Sequence, residues 1–490
     1  MPFTLILLGI VLVLAVLVVV VLVRTFSFGD PRQNYEKLQV FEPQPDRVAE
    51  RLSRVIQCQT ISFDEKRPAD PKALQELRDV FEKNFPNLHK TCKMQLINDY
   101  SILYTWEGKN SALKPLLLAG HQDVVPVDDK DVSKWTHPPF GGVIADGFVW
   151  GRGALDMKNH VVAELESVER LIESGYQPER TVYLAFGHDE EIGGVHGAAK
   201  IVAWLKEQNI NLEAVIDEGG VIYSGILPGI NENFAGIGIA EKGMATVDMM
   251  LEMNPGHSSQ PPAHTAIGVM AQAVTKLEDN PMPAEPEIML PLMKALGQSL
   301  PFVLRMAFAN MWLFRGVVIN ELRKNPSGDA SIRTTTAVTL IKGGIKDNIL
   351  PPNAQATVNF RIKPGECVAD VLEHMRDTIK DERIKLVPNE EILWNPSPVS
   401  NTESKAYAAV KETIQRVFDN VPVASQIFPA ATDSRHYYPV CSNVYRFMPL
   451  VFTKDDLSGI HGIDERIPVE GLEKMVQFFG ALIKAFDQIK

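Results

Sequence analysis

Three short apolar runs in this sequence finish alike: Pro115–Ala119 leads into Gly120 and His121, Val182–Phe186 into Gly187 and His188, and Ala214–Ile216 into Asp217 and Glu218. A continuous apolar run of this length, bounded by turn residues, is the pattern of a strand buried on both faces. Helical patterns over Val161–Ser174 and Gly197–Gln208 separate the runs. The alternation predicts an α/β fold whose mainly parallel sheet carries helices on both faces. Such sheets bind ligands at the carboxyl ends of their strands. The three clusters of metal-capable side chains are therefore expected to converge.

A length of 490 residues exceeds one ordinary core and predicts two domains. A second texture begins near Met244, where Thr246–Met253, Thr334–Ile341 and Ala354–Ile362 read as strands of a separate small sheet, and an α/β pattern resumes from Val371. That order implies an inserted domain within a discontinuous catalytic domain. Between the strands lies the apolar stretch Ile288–Leu322, in which Phe302, Met306, Ala309 and Leu313 recur at helical spacing.

A net charge of −12 repels phosphate backbones, and no lysine/arginine block interrupts it, so nucleic acid is not an expected partner and a small molecule is. Cys58, Cys92, Cys367 and Cys441 lie far apart without a CxxC pair, which argues against a thiolate zinc knuckle and a dense disulfide framework. Phe3–Val23 is almost unbroken Leu, Ile and Val, long enough at about 1.5 Å per residue to cross a hydrocarbon layer of about 30 Å. It lacks the basic prelude and small-residue cleavage site of a signal peptide. An uncleaved anchor is expected, with the catalytic region extracytoplasmic, or secreted if the segment is cleaved. Residues 24–43 read as a polar, proline-containing tether.

Gly120-His121-Gln122-Asp123 sets an imidazole and a carboxylate two apart, on the same side of an extended strand. Asp123 is then placed to accept the imidazole N–H and fix the tautomer that presents the other nitrogen to a metal. Trp150–Lys158 brings Asp156 out of a glycine-rich turn before a helical pattern, where taken alone it reads as a helix cap. Gly187–Gly194 offers Glu190 and Glu191 side by side; close carboxylates repel unless a cation sits with them. One can bind metal while its neighbour takes a proton from bound water. Asp217-Glu218 and His461 complete a set of carboxylates and imidazoles without thiolates, which suits zinc, or manganese or cobalt in a similar open site. Two ions fit that ligand count, with one aspartate bridging.

Together GHQDVVP, WGRGALDMK, GHDEEIGG, IDEGG, GHSS, TDSRHY and GIHG resemble, in order, the motifs of the aminoacylase, carboxypeptidase S and succinyl-diaminopimelate desuccinylase group of dizinc hydrolases. The resemblance runs from about residue 45 to the end. It implies a phosphorylase/hydrolase-like catalytic domain interrupted by an inserted α+β lid (dimerisation) domain. The implied division is anchor or signal 1–23, linker 24–43, a first catalytic segment 44–242, lid 243–364 and a second catalytic segment 365–490. It implies two Zn2+ held by His121, Asp156, Glu191 and His461, with Asp156 bridging, and a fifth ligand from either Asp217 or Glu218. Asp123 becomes the orienter of His121 and Glu190 the general base. His257 is the oxyanion-stabilising lid histidine, reaching across a homodimer in many relatives, and Asn348 and Arg435 hold the substrate's carbonyl or carboxylate. The lid segments Ile332–Ala337 and Pro351–Arg361 are most similar to those of the branch acting on N-fatty-acyl amino acids, with carboxypeptidase S next. On that reading Ile288–Leu322 supplies an apolar groove for an acyl chain.

Two other classes are weaker. A non-catalytic metal-dependent binding protein gains nothing from Glu190 beside Glu191 or from a remote His257. A two-metal phosphatase or nuclease calls for phosphate-directed basic residues, which the overall acidity disfavours.

Overall fold

The structure, a computed structural model, describes residues 2–227 and 230–490. The three apolar runs form the strands Leu116–His121, Val182–Gly187 and Ala214–Asp217, so His121 and Asp217 are themselves the last residues of strands. Leu116–His121 lies between the other two, parallel to both, with His121 opposite Gly187. The three ends therefore share one edge. Outward on one side the sheet continues antiparallel through Ser101–Trp106 and Lys93–Ile97. On the other it continues through Val444–Arg446, Phe234–Glu241, Ile222–Tyr223 and Val451–Phe452, with Val423–Phe428 also beside Phe234–Glu241. The sheet is mixed and mostly parallel, with its parallel heart at the ligand-bearing strands.

Alternation along the buried strand Leu116–His121 sorts its side chains between two cores. Leu116 and Leu118 pack with Val161, Val162 and Leu165 of the helix Lys158–Glu173 and with the helix Val469–Phe486. Leu117 and Ala119 face Ala198, Ile201 and Leu205 of the helix Ala198–Glu207. Gly120 sits where the first helix crosses closely: a Cβ there would lie 3.0 Å from Val161 Cγ2 and 3.2 Å from Met157 Cε, so both side chains would have to give way.

The second sheet is antiparallel, in the order Thr335–Gly343, Asn353–Ile362, Gly243–Glu252 and Ile384–Trp394. Its last strand corrects the expected division at 364/365. Ile384–Trp394 pairs with Gly243–Glu252, and Val371, Met375 and Ile379 of the helix Val368–Ile379 enter the same core as Ala245, Val247 and Met249. Residues 365–394 thus complete the lid sheet, and the α/β pattern read from Val371 is the lid's own last helix and strand.

The stretch Ile288–Leu322 also departs from expectation, because it does not join the lid core. It breaks into helices Leu290–Leu296, Phe302–Ala309 and Met311–Leu322. Asn310, with non-helical φ −125°, interrupts the spacing that linked Ala309 to Leu313. Met293, Leu296, Phe308 and Val318 cluster with Ile230 and Phe234, on the flank of the catalytic sheet. Nor is 24–43 a free tether. Gln477 Oε1 accepts from the backbone N–H groups of Val40 at 2.9 Å and Phe41 at 3.0 Å, and Leu38 N donates to Arg416 O at 3.0 Å. Among the described residues one helix, Pro2–Phe26, is long and apolar enough to cross a membrane; all four cysteines are free.

Candidate dinuclear metal centre

His121 ends its strand with Nδ1 2.9 Å from the backbone carbonyl of Asp123. A donor Nδ1–H leaves the Nε2 lone pair free. That nitrogen lies 3.0 Å from Asp156 Oδ1 and 3.5 Å from Glu218 Oε1. On the other side of the same aspartate, His461 Nε2 lies 3.0 Å from Asp156 Oδ2 and 3.4 Å from Glu191 Oε2. Two ligand groups result, His121–Asp156–Glu218 and Asp156–Glu191–His461, each with donor atoms within 4.8 Å of one another. Asp156 belongs to both and presents one oxygen to each.

The surrounding chain holds this arrangement with backbone donors. Asp156 does not cap the following helix: the N-cap is Met157 and the helix begins at Lys158, which leaves its carboxylate for the two histidines. Its loop closes on Glu465, whose Oε1 accepts from the N–H groups of Gly153 at 3.0 Å, Leu155 at 2.7 Å and Asp156 at 3.2 Å. Its Oε2 accepts from Arg152 Nη1 at 2.5 Å. Sequence reasoning stopped at His461 and missed Glu465. The available signal was an acidic residue four positions past His461.

Asp123 does more than orient an imidazole. Its carboxylate accepts from the N–H groups of Glu190 at 3.1 Å and Glu191 at 3.3 Å, while Oδ1 stands 3.4 Å from His121 Nδ1. One residue thereby sets the histidine through its carbonyl and the Glu-Glu turn through its side chain. Glu190 Oε2 reaches to 4.0 Å of His121 Nε2 yet belongs to neither ligand group. The option of Asp217 as fifth ligand is corrected by its partners. Its Oδ2 accepts from Ser434 Oγ at 2.7 Å and Thr432 Oγ1 at 3.3 Å, and its Oδ1 from Glu218 N at 2.9 Å, so Glu218 is the carboxylate facing His121.

The electrostatics call for positive charge. Burial pushes the Glu190 carboxyl well above its ordinary range, and burial followed by the nearby Asp156 charge lifts Glu218 to about 8. Burial also raises Asp156, but hydrogen bonds from His121 and His461 outweigh it and hold that carboxyl low. Hydrogen bonds accepted by Asp156 and then by Glu191 lift His461 to about 10. Buried Glu191 Oε1 lacks a hydrogen-bond partner among the described residues. Oxygen and imidazole donors of this kind, around one shared carboxylate, fit two divalent cations.

The remaining candidates lie elsewhere. His257 is exposed on the lid, in a short ladder with Ile349, its Nδ1 accepting from Ser259 N at 3.1 Å. Exposed Asn348 is beside it, its carbonyl accepting from Ser258 N at 3.2 Å. The structure brings these two together but places neither in the ligand groups. Arg435 is nearer the centre: Nη2 donates to Gly193 O at 2.7 Å and the guanidinium stacks over the lid's Trp394 at 5.0 Å.

A carboxylate shared between two cation sites at the strand ends of an α/β sheet, under an inserted lid, defines the class of two-metal hydrolases. The chain belongs to Peptidase family M20/M25/M40, whose description matches residues 117–485, and it is a metal-dependent hydrolase. It is 41% identical to the Probable carboxypeptidase S-like 2 of Dictyostelium discoideum, over 89% of this chain and 84% of that one. It is 39% identical to the N-fatty-acyl-amino acid synthase/hydrolase PM20D1 of Xenopus tropicalis, over 97% of this chain and 93% of that protein. The fold is shared with an M20 family metallo-carboxypeptidase, Sso-CP2 of Sulfolobus solfataricus, at a TM-score of 0.62 and 18% identity, covering 90% of this chain and 99% of the other.

Proposed function

We propose that this chain is a zinc amidohydrolase that cleaves, and in reverse condenses, N-acyl amino acids, including those with fatty acyl groups. The observation that carries the reading is Asp156 facing both His121 and His461 while Glu190 stands 4.0 Å from His121, outside both ligand groups. His121, Asp156 and Glu218, and Asp156, Glu191 and His461, would hold zinc, which would supply Lewis acidity and lower the pKa of water there. Glu190 accepts the proton of the attacking water and returns it to the amide nitrogen, a shuttle that suits a buried carboxyl with a raised pKa. His257 donates to the substrate's carbonyl oxygen once the lid or a second copy of the chain brings it in, and Asn348 travels with it. The Arg435 guanidinium offers a planar fork for the substrate's free carboxylate. Condensation passes through the same transition state as hydrolysis, so concentrations set the direction.

Carboxypeptidase action of the carboxypeptidase S type is the second reading, supported by the 41% identical relative and by the same fork, which equally suits a peptide's C-terminal carboxylate. The anchor reading of Pro2–Phe26 and a homodimer belong to the proposal. A metal-reconstituted comparison of lauroyl-, acetyl- and aminoacyl-phenylalanine separates the two readings. Turnover fastest on lauroyl-phenylalanine supports the first. Preference for the aminoacyl compound assigns the peptidase, and no turnover with zinc, manganese or cobalt returns the chain to metal-dependent binding.

A further inference from the structure

The helix Met311–Leu322 is apolar around most of its circumference, with Trp312, Leu313, Phe314, Val317, Val318 and Ile319 on several faces. A helix of that composition belongs inside a core or a lipid phase. Here only Met311 and Val318 are buried. Trp312 is 56% exposed, Val317 62%, and on the preceding helix Val303 is 69% exposed. These side chains add to one another as an apolar surface on two consecutive helices, and exposed surface of that kind marks an interaction site.

The position of the surface identifies what covers it. The helix Pro2–Phe26, of mean hydropathy 3.7 over its most apolar window, is bare along most of its length. It meets the rest of the chain at its last turns. Val21 and Thr25 are buried there, and Asn310 Nδ2 donates to Val21 O at 3.2 Å and to Thr25 Oγ1 at 3.3 Å. Arg24 Nε donates to Ala309 O at 3.1 Å, and the Phe26 and Phe302 rings lie 6.0 Å apart. At about 1.5 Å per residue, a hydrocarbon layer of about 30 Å uses roughly 20 residues of that helix. The junction with residues 302–310 therefore falls at the boundary between acyl chains and headgroups. Tryptophan is enriched at that depth, and Trp312 follows the junction directly.

We infer that the helices Phe302–Ala309 and Met311–Leu322 form a docking face that lies in the bilayer interface beside the N-terminal helix, with Val303, Trp312 and Val317 inserted among lipid acyl chains. The inference rests on the reading of Pro2–Phe26 as a membrane span. It adds a consequence for a lipid-like substrate. The same helical cluster packs on Phe234, and the neighbouring strand Val423–Phe428 ends with the Phe428 ring, which lies against Gly219 beside Glu218. The docking face and the metal centre are thus joined through one packed layer.

Trp312 is the one exposed tryptophan among the described residues, which makes it a built-in probe. The test uses the full chain reconstituted into phosphatidylcholine vesicles with brominated acyl chains, comparing wild type with Trp312→Phe. Strong quenching of wild-type emission, most of it lost in Trp312→Phe, is the expected result. Equal quenching of both proteins, or none, overturns the docking face. Alkaline carbonate extraction of the same vesicles separates the two premises. Retention in the membrane with an unquenched Trp312 sinks the docking face alone, whereas release of the whole chain sinks the span and the docking face together.

Discussion

The candidate metal centre and the loop that carries His257, assigned complementary shares of one reaction in the proposed function, are built in opposite ways. Around Asp156, Glu190 and Glu191 the backbone is pinned by buried carboxylates: Glu465 accepts from three N–H groups of one loop and Asp123 from two. Around His257 a two-residue ladder and contacts within the loop are what hold the side chain. The difference teaches where order is required before substrate arrives. Like charges must be fixed in place to share cations, and their desolvation is borne by the fold. A group that stabilises charge only in the transition state can arrive with lid closure, which also expels water.

The largest test of this contrast removes the proton shuttle from the rigid side. Glu190→Gln is expected to retain metal while the rate falls by ~10^2 to 10^4-fold, the range for a general base. Full activity in a metal-replete variant, read by product formation and metal analysis together, would break the assignment. On the lid side, His257→Ala is expected to lower kcat by about 10^2 to 10^3-fold with metal binding unaltered; a loss of metal instead would place this residue among the ligands. Glu465→Gln sharpens the comparison, because it alters the support and leaves every ligand in place. Metal affinity should fall by roughly 10 to 100-fold, as for other groups behind a ligand, and excess metal should restore most of the rate. A variant that binds metal normally would show that the Asp156 loop needs no such clamp. The smallest effect is expected for Ser434→Ala, which removes one hydroxyl from Asp217. Thermal or denaturant unfolding should register a loss of about 1 to 3 kcal/mol with metal stoichiometry unchanged, whereas loss of one metal would restore Asp217 as a ligand.

Legibility in the sequence followed the range of the interactions involved. The convergence of His121, Asp156, Glu191 and His461 was readable because each sits in a local signature, a glycine-bounded strand end or turn that ends in a chemically rare side chain. The choice between Asp217 and Glu218 was not readable, since it depends on the hydroxyls of Thr432 and Ser434, more than two hundred residues away. The lid's closing strand was misplaced for the same reason. Ile384–Trp394 looks like any amphipathic strand, and only its pairing with Gly243–Glu252 assigns it to the second sheet. The apolar stretch Ile288–Leu322 was recognisable as helix, but its break at Asn310 and its seat beside the N-terminal helix were not. At that break Asn310 hydrogen-bonds to Val21 and Thr25, residues nearly three hundred positions away.

Local patterning by itself determined the α/β class, the chemical kind of the centre and the presence of a long apolar helix. Each is written in neighbouring residues, through side-chain period and through the cost of placing like charges together. Tertiary structure alone decided which carboxylate faces which imidazole, where the lid ends, and that Asp123 and Glu465 hold the ligand loops by their backbone. Those outcomes depend on pairing between segments far apart in the chain, and a buried charge takes its role from whichever donors folding brings within about 3 Å of it.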